Sequence, residues 1–176
     1  MSNKVLDNNQ VLQLATELHS GQKRSNGLDY ITHPVAVARI ASDLLDLCFP
    51  ILKDRLKDSV IQAAYLHDVL EDCPITEQGL IDQGVDKDVV EICRILNKNN
   101  YFSYCDYILN IIENQGSVAL IVKYADLLHN SHNQKNKLKR DRYDLAIALI
   151  HTEYYIFDMH KTLIRDIVTK ATEGVQ

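Results

Sequence analysis

A chain of 176 residues, 46% hydrophobic and 24% charged, suits one domain, or one domain with a short extension, with a real core, and its composition argues against a disordered chain. Its formal net charge of −5 argues against a surface that attracts nucleic acid as a whole, so a protein handling phosphate esters must bring positive charge locally, as a metal ion or a few basic side chains. The N-terminus MSNKVLDNNQ has no signal-peptide core, no apolar run approaches the ~18 residues needed to span a bilayer, and Cys48, Cys73, Cys93 and Cys105 form no C-x-x-C pair; the expectation is a cytoplasmic protein with buried free thiols, no membrane and no thiolate zinc site.

The periodicity is helical almost throughout. Val11, Leu12, Ala15, Leu18 and His19 recur at three- and four-residue steps and predict a first amphipathic helix. A polar stretch from Ser20 to Asp29 with Gly21 and Gly27 interrupts it, and Pro34 suits the first turn of a second helix running through Val35, Val37, Ala38, Ile40, Ala41, Leu44 and Leu45. Pro50 punctuates before a third helix, from about Val60 to about Asp72, which Pro74 ends. Thr76 with Gln78 and Asp86 with Asp88 mark two shorter helices ending near Gly84 and Asn97. A further helix covers roughly Ser103 to Glu113, with Gly116 as its stop, and Ser117 caps another through Leu120, Ile121, Ala125 and Leu128. The basic segment from Lys135 to Arg142 reads as a loop leading into a last helical region from Tyr143 to about Lys170. No segment alternates with period two, so the fold class is all-α.

The third helix carries the chemistry. His67 and Glu71 are four apart, Asp68 and Asp72 four apart, and Asp68 and Glu71 three apart, so all four project from neighbouring rows of one helix side behind an apolar approach, Ala63 to Leu66. Three carboxylates there repel one another, no Lys or Arg lies nearby in sequence, and a divalent cation would relieve the repulsion. His33, ahead of Pro34 at a helix start, and Asp126, which forms an i, i+4, i+8 row with Val122 and Asn130 beside Lys123, offer complementary groups. Two imidazoles and two carboxylates from three helices suit an octahedral Mn²⁺, Fe²⁺ or similar divalent ion better than a closed zinc site, with positions left for water and a phosphate oxygen. A lone His-Asp dipeptide is commonly a surface pair; the combination of places singles these residues out. His19, His132, His151 and His160 lack such company and read as structural or exposed.

The stretches HSGQKRSNGLDYITHP, AAYLHDVLED and VKYADLLHN, with LNKNNYFSYCDYILNI between the last two, resemble the hydrolase (HD) domain of the RelA/SpoT alarmone enzymes and the small stand-alone alarmone hydrolases, in the same order and over most of residues 10 to 150. The resemblance implies a single HD hydrolase domain over 1–176, with a core at about 10–150 and a C-terminal helical region at 143–172, built as an all-α bundle of about eight to ten helices. It also implies Mn²⁺ held by His33, His67, Asp68 and Asp126. The implied reaction removes the 3′-pyrophosphate of guanosine tetra- or pentaphosphate. Glu71 and Asp72 would orient or deprotonate the water, and Arg24 and Asn130 would contact the nucleotide. Apart from the resemblance, Lys139, Arg140 and Arg142 either supply the local positive charge that an acidic protein needs or, as charge runs more often do, form a solvated face. The chain departs from the pattern at Ser25, where many members carry Lys, at Leu127, where the common motif has Arg, and at Ser131-His132-Asn133 in place of the usual L-R-T. Hydrolysis of another nucleotide, such as an adenosine analogue or NADPH, and a non-catalytic nucleotide-binding module are the alternatives. The chain is too short to include the family's synthetase domain.

Overall fold

Caps written into the sequence start several of the helices. Asp7 opens α1 (Asn8–Leu18) with a capping box, its carboxylate accepting from the Asn9 and Gln10 N–H while the Gln10 side chain accepts from the Asp7 N–H. Thr76 caps α5 (Glu77–Asp82), Asp86 caps α6 (Lys87–Leu96), and Asn97 caps the short 3-10 turn at Lys98–Asn100. In α2 (Thr32–Cys48), Pro34 occupies the first turn, where its missing N–H leaves nothing unsatisfied. The chain continues through α3 (Lys53–Leu66), α4 (Val69–Asp72), α7 (Tyr104–Asn114), α8 (Ser117–His132), α9 (Lys137–Glu153), α10 (Tyr155–Met159) and α11 (Lys161–Glu173). This computed structural model describes residues 5–114, 117–132 and 134–173; Gly116 as a helix stop and Asn133 lie outside them, as does the Ser117 side chain read as a cap. Among the described residues the fold is the all-α bundle that the periodicity predicts, and no helix is long and apolar enough to cross a membrane.

α2 runs through the middle, packed against α3, α8 and α11, and ten of its seventeen residues are buried. Leu44 and Leu45 have no exposed surface, and truncating either to Ala should cost about 2–5 kcal/mol of stability. Because α2, α3 and α8 pack on one another, polar residues at the start of α2, the end of α3 and the middle of α8 are brought to one place.

Three sequence readings need correction, and that of the last helical region is refined. The third helix does not continue to Asp72: it breaks at His67 and Asp68 and resumes as α4. The His67 imidazole Nδ1 lies 2.8 Å from the Ala64 carbonyl oxygen, the acceptor that a continued helix would offer to the Asp68 N–H. The segment from Lys135 to Arg142 is not a loop, because Asn136 caps α9 through the Lys139 N–H and helix begins at Lys137. The last helical region is three helices, interrupted at Tyr154 and His160. Of the four free thiols, Cys48 and Cys93 are buried, whereas Cys73 is half-buried and Cys105 exposed, since Cys105 lies on the outer face of α7.

Candidate metal centre

His33, on the first turn of α2, faces His67 and Asp68 at the α3–α4 break and Asp126 on α8. The His33 Nε2 lies 3.2 Å from Asp126 Oδ1 and 3.6 Å from Asp68 Oδ2; the His67 Nε2 lies 3.1 Å from Asp68 Oδ2 and 3.7 Å from Asp126 Oδ1. One ligand atom each from His33, His67 and Asp68 falls within 4.8 Å of the others. The two imidazoles and Asp126 are buried and Asp68 nearly so. All four sequence candidates for metal ligation therefore converge.

The donor set fits a divalent cation on an observation independent of composition. With Nδ1 of His67 directed at the Ala64 carbonyl, the proton belongs on Nδ1 and the Nε2 lone pair points into the cluster. That Nε2 is buried and aimed at carboxylate oxygens with no donor–acceptor match while its lone pair faces them, an arrangement that a cation held between them would satisfy. Burial alone would lower the His67 pKa, but Asp68 and Asp126 outweigh it and raise the ring well above its ordinary value, which is the same demand for positive charge expressed through a proton. Lys123 donates to Asp126 Oδ2 at 2.8 Å. Burial pushes Asp126 up, and Lys123 with the two imidazoles reverses this, holding the carboxyl well below its usual range. Two carboxylates against one buried ammonium leave net negative charge in a low-dielectric place.

Of the other sequence candidates, Glu71, Asp72, Asn130 and Arg24 lie around this floor. Glu71 accepts from the Lys98 N–H at 2.6 Å and forms an ion pair with the Lys98 ammonium; burial raises its pKa against the pull of Lys98. Asp72 is exposed and lies 3.4 Å from the Tyr30 hydroxyl. Asn130 donates its amide to Asp126 Oδ1 at 2.5 Å. Arg24 is half-buried, with Nη1 3.4 Å from the His129 Nε2, and burial lowers its pKa. It reaches this place because the polar segment folds into a tight turn: Gly27 takes φ +87°, Arg24 N–H donates to the Leu28 carbonyl at 2.9 Å, and Lys23 and Asp29 pair as an isolated antiparallel bridge. Lys139 and Arg140 are exposed on the first turns of α9, and among the described residues neither side chain bonds to the cluster. Arg142 lies over the Tyr104 ring, 5.3 Å from its centroid. Of the departures, Leu127 is wholly buried in the core, and Ser131 donates to Asp144 at 2.5 Å.

Sequence reasoning missed three neighbours. Tyr30 donates its hydroxyl to Asp68 Oδ2 at 2.5 Å, and its position three residues before His33 is a signal that was available. His129 is buried, its Nδ1 2.8 Å from Nδ1 of His33, and it stands three residues after Asp126 on the same helix face. Lys98 meets Glu71 across 27 residues, for which the local sequence held no signal. Two clefts lie elsewhere: one of about 410 Å³ bounded by Arg39, Asp43, Tyr65 and Lys170, and one of about 640 Å³ beside Asp7, Asp58 and Asp86. Neither gathers buried imidazoles and carboxylates, so the chemistry is assigned to the cluster.

A guanosine-3′,5′-bis(diphosphate) 3′-pyrophosphohydrolase of Vibrio cholerae is 30% identical over 154 residues, 78% of this chain and 20% of that protein. The bifunctional (p)ppGpp synthase/hydrolase SpoT of Escherichia coli is 30% identical over 158 residues, 81% of this chain and 21% of its own length. This chain thus spans about a fifth of the length of the curated relatives it matches. A solved structure of a metazoan ortholog of SpoT, described as hydrolysing ppGpp, superposes with a TM-score of 0.63 over 96% of both chains at 20% identity, which carries the fold. The HD-domain family model matches residues 11–106, more than half of the chain and the part that supplies His33, His67 and Asp68, and the chain belongs to the HD-domain family.

Proposed function

We propose that this chain is a Mn²⁺-dependent pyrophosphohydrolase of guanosine tetra- and pentaphosphate, converting them with water into GDP or GTP and pyrophosphate. The observation that carries the reading is the buried His33–His67–Asp68–Asp126 cluster with an unpartnered imidazole nitrogen, in a chain similar over most of its length to proteins named for this reaction. These four residues would hold the cation, with Mn²⁺ or Fe²⁺ suited to the mixed nitrogen and oxygen donors. Bound there, a divalent ion makes a water molecule more acidic and polarises a phosphoryl oxygen.

The remaining work falls to the chain's own side chains. Glu71 and Asp72 orient the attacking water and receive its proton; burial keeps Glu71 more basic than an ordinary carboxylate. The water oxygen joins the phosphorus next to the ribose 3′ oxygen, and that oxygen leaves and takes up a proton. Arg24 binds the nucleotide through a phosphate or by stacking on the base. Asn130, besides donating to Asp126, keeps its carbonyl oxygen and a second N–H for the nucleotide. Lys139 and Arg140, exposed on the first turns of α9, attract the highly charged substrate from solution. Such a protein works in a reduced, cytoplasmic compartment.

The test is incubation with guanosine tetraphosphate and Mn²⁺, with pyrophosphate and GDP measured by ion-exchange chromatography; no release from a Mn²⁺-loaded protein overturns the reading. A second reading, hydrolysis of a different nucleotide such as an adenosine analogue or NADPH, is favoured by Ser131, which bonds to Asp144, and by Ser25 beside Arg24. A metabolite panel under the same conditions separates the two.

A further inference from the structure

The two candidate imidazole ligands are oriented differently. His67 turns its Nδ1 to a backbone carbonyl, which can only accept, so its neutral form has one tautomer, with the proton on Nδ1. His33 turns its Nδ1 to another imidazole nitrogen, Nδ1 of His129, at 2.8 Å; the rings lie within 26° of parallel with centroids 4.8 Å apart, and both residues are buried. One proton is shared between those two nitrogens, and either ring can hold it. If His129 holds it, the proton of neutral His33 sits on Nε2 and faces Asp126, where no cation can be ligated. If His33 holds it, its Nε2 lone pair faces the carboxylates, and the proton of neutral His129 must sit on Nε2. That Nε2 is 3.4 Å from Arg24 Nη1, so two N–H groups then confront each other and Arg24 has no acceptor there.

We propose that His129 is a positioning residue: its Nδ1 accepts the Nδ1–H of His33, fixing that ring with its Nε2 lone pair on the cation, and the same proton placement turns Arg24 loose for an anionic substrate. Cation uptake and phosphate recognition are thereby coupled through two neutral rings, with no change in total proton count. This rests on the cation site proposed above.

The experiment compares wild type, His129→Asn and His129→Leu. Asn presents an acceptor oxygen close to where the imidazole Nδ1 stands, whereas Leu keeps the bulk and leaves the His33 N–H unpaired. By calorimetry, Mn²⁺ should bind wild type and His129→Asn within about threefold of each other and His129→Leu about 10–100-fold more weakly. In ¹⁵N-labelled Zn²⁺-loaded wild type, NMR should find His33 protonated on Nδ1 and His129 on Nε2. Equal affinity in His129→Leu, or a loaded protein in which His129 carries its proton on Nδ1, overturns the proposal. Should His129→Leu not fold, the two tautomers and the His129→Asn affinity still decide. Nitrogen–nitrogen coupling across the His33–His129 bond, read in metal-free protein, separates the two claims. Coupling without any cation uptake removes the hydrolase reading and with it the ligand role of His33. Cation uptake without coupling removes the role of His129 alone.

Discussion

The floor of the site and its rim are built on opposite principles. The floor, His33, His67, Asp126 and Lys123, is buried or nearly so on α2, the α3–α4 break and α8, the helices that also make the core. The rim, Arg24, Lys98 and Asp72, stands on a turn, a 3-10 segment and a helix end, half-buried or exposed, while Lys139 and Arg140 are exposed on the first turns of α9. A buried charge must find its partner or destabilise the fold, whereas an exposed one is free to vary. The departures from the alarmone-hydrolase pattern spare His33, His67, Asp68 and Asp126; they touch Ser25 on the exposed turn and Ser131, and at Leu127 they also change a buried core position of α8, beside Asp126.

That contrast breaks if floor and rim substitutions behave alike. The largest effect is expected from His67→Ala, which should lower pyrophosphate release by about 10³-fold or more and strip Mn²⁺ from the purified protein, as measured by metal analysis. Lys123→Met leaves Asp126 without its ammonium, and urea unfolding of the metal-free protein should show a loss of about 3–5 kcal/mol. Added Mn²⁺ should recover much of that loss; an unchanged unfolding midpoint would remove Lys123 from the floor. At the rim, Arg24→Ala should raise KM by roughly 10–150-fold, the equivalent of one charge-assisted hydrogen bond of about 1.5–3 kcal/mol, with a smaller change in kcat.

The pH dependence sharpens the comparison from the floor side. Burial opposes a charge on His67, but Asp68 and Asp126 raise its pKa well above the ordinary value. In cation-free protein the resulting stability is fully present below about pH 6.5 and is lost as the pH rises through the raised value. A bound cation must displace that proton, so Mn²⁺ affinity should increase by about tenfold per pH unit in the same window, seen as buffer-dependent proton release in calorimetry. The smallest effect belongs to the double change Lys139→Ala with Arg140→Ala: about a 2–5-fold fall in kcat/KM at low salt, vanishing at high ionic strength.

Most helix positions were legible because caps and apolar periodicity are local. Asp86, Thr76 and the 3.6-residue pattern of α2 each act within a turn or two. The start of α9 was not, since Lys137 to Arg142 holds one apolar residue, Leu138, and the helix rests on the Asn136 cap and on packing of its later turns against α8. The break after Leu66 was hidden because apolar periodicity carries no mark of the side-chain-to-backbone contact of His67 that accompanies it. Of the site, the four candidate ligands stood out by residue type and company. His129 and Tyr30 lay within three residues of named candidates and were passed over, since an imidazole or phenol next to a motif has many structural uses.

By itself the sequence determined which residues are candidates for the chemistry: His33, His67, Asp68, Asp126, Glu71 and Asp72 form a donor set that composition and spacing single out, and the apolar period determined that helices would present them. Only the tertiary structure decided what each of them faces. Packing of α2, α3 and α8 brings groups 35 to 93 positions apart in the chain to within 4 Å of one another and leaves the His67 Nε2 without a hydrogen-bond partner. It also supplies Lys98 to Glu71, Lys123 to Asp126 and His129 to His33. The physical reason is that electrostatic and hydrogen-bond energies depend on distance and on exclusion of water, and for residues far apart in the chain the fold alone sets both.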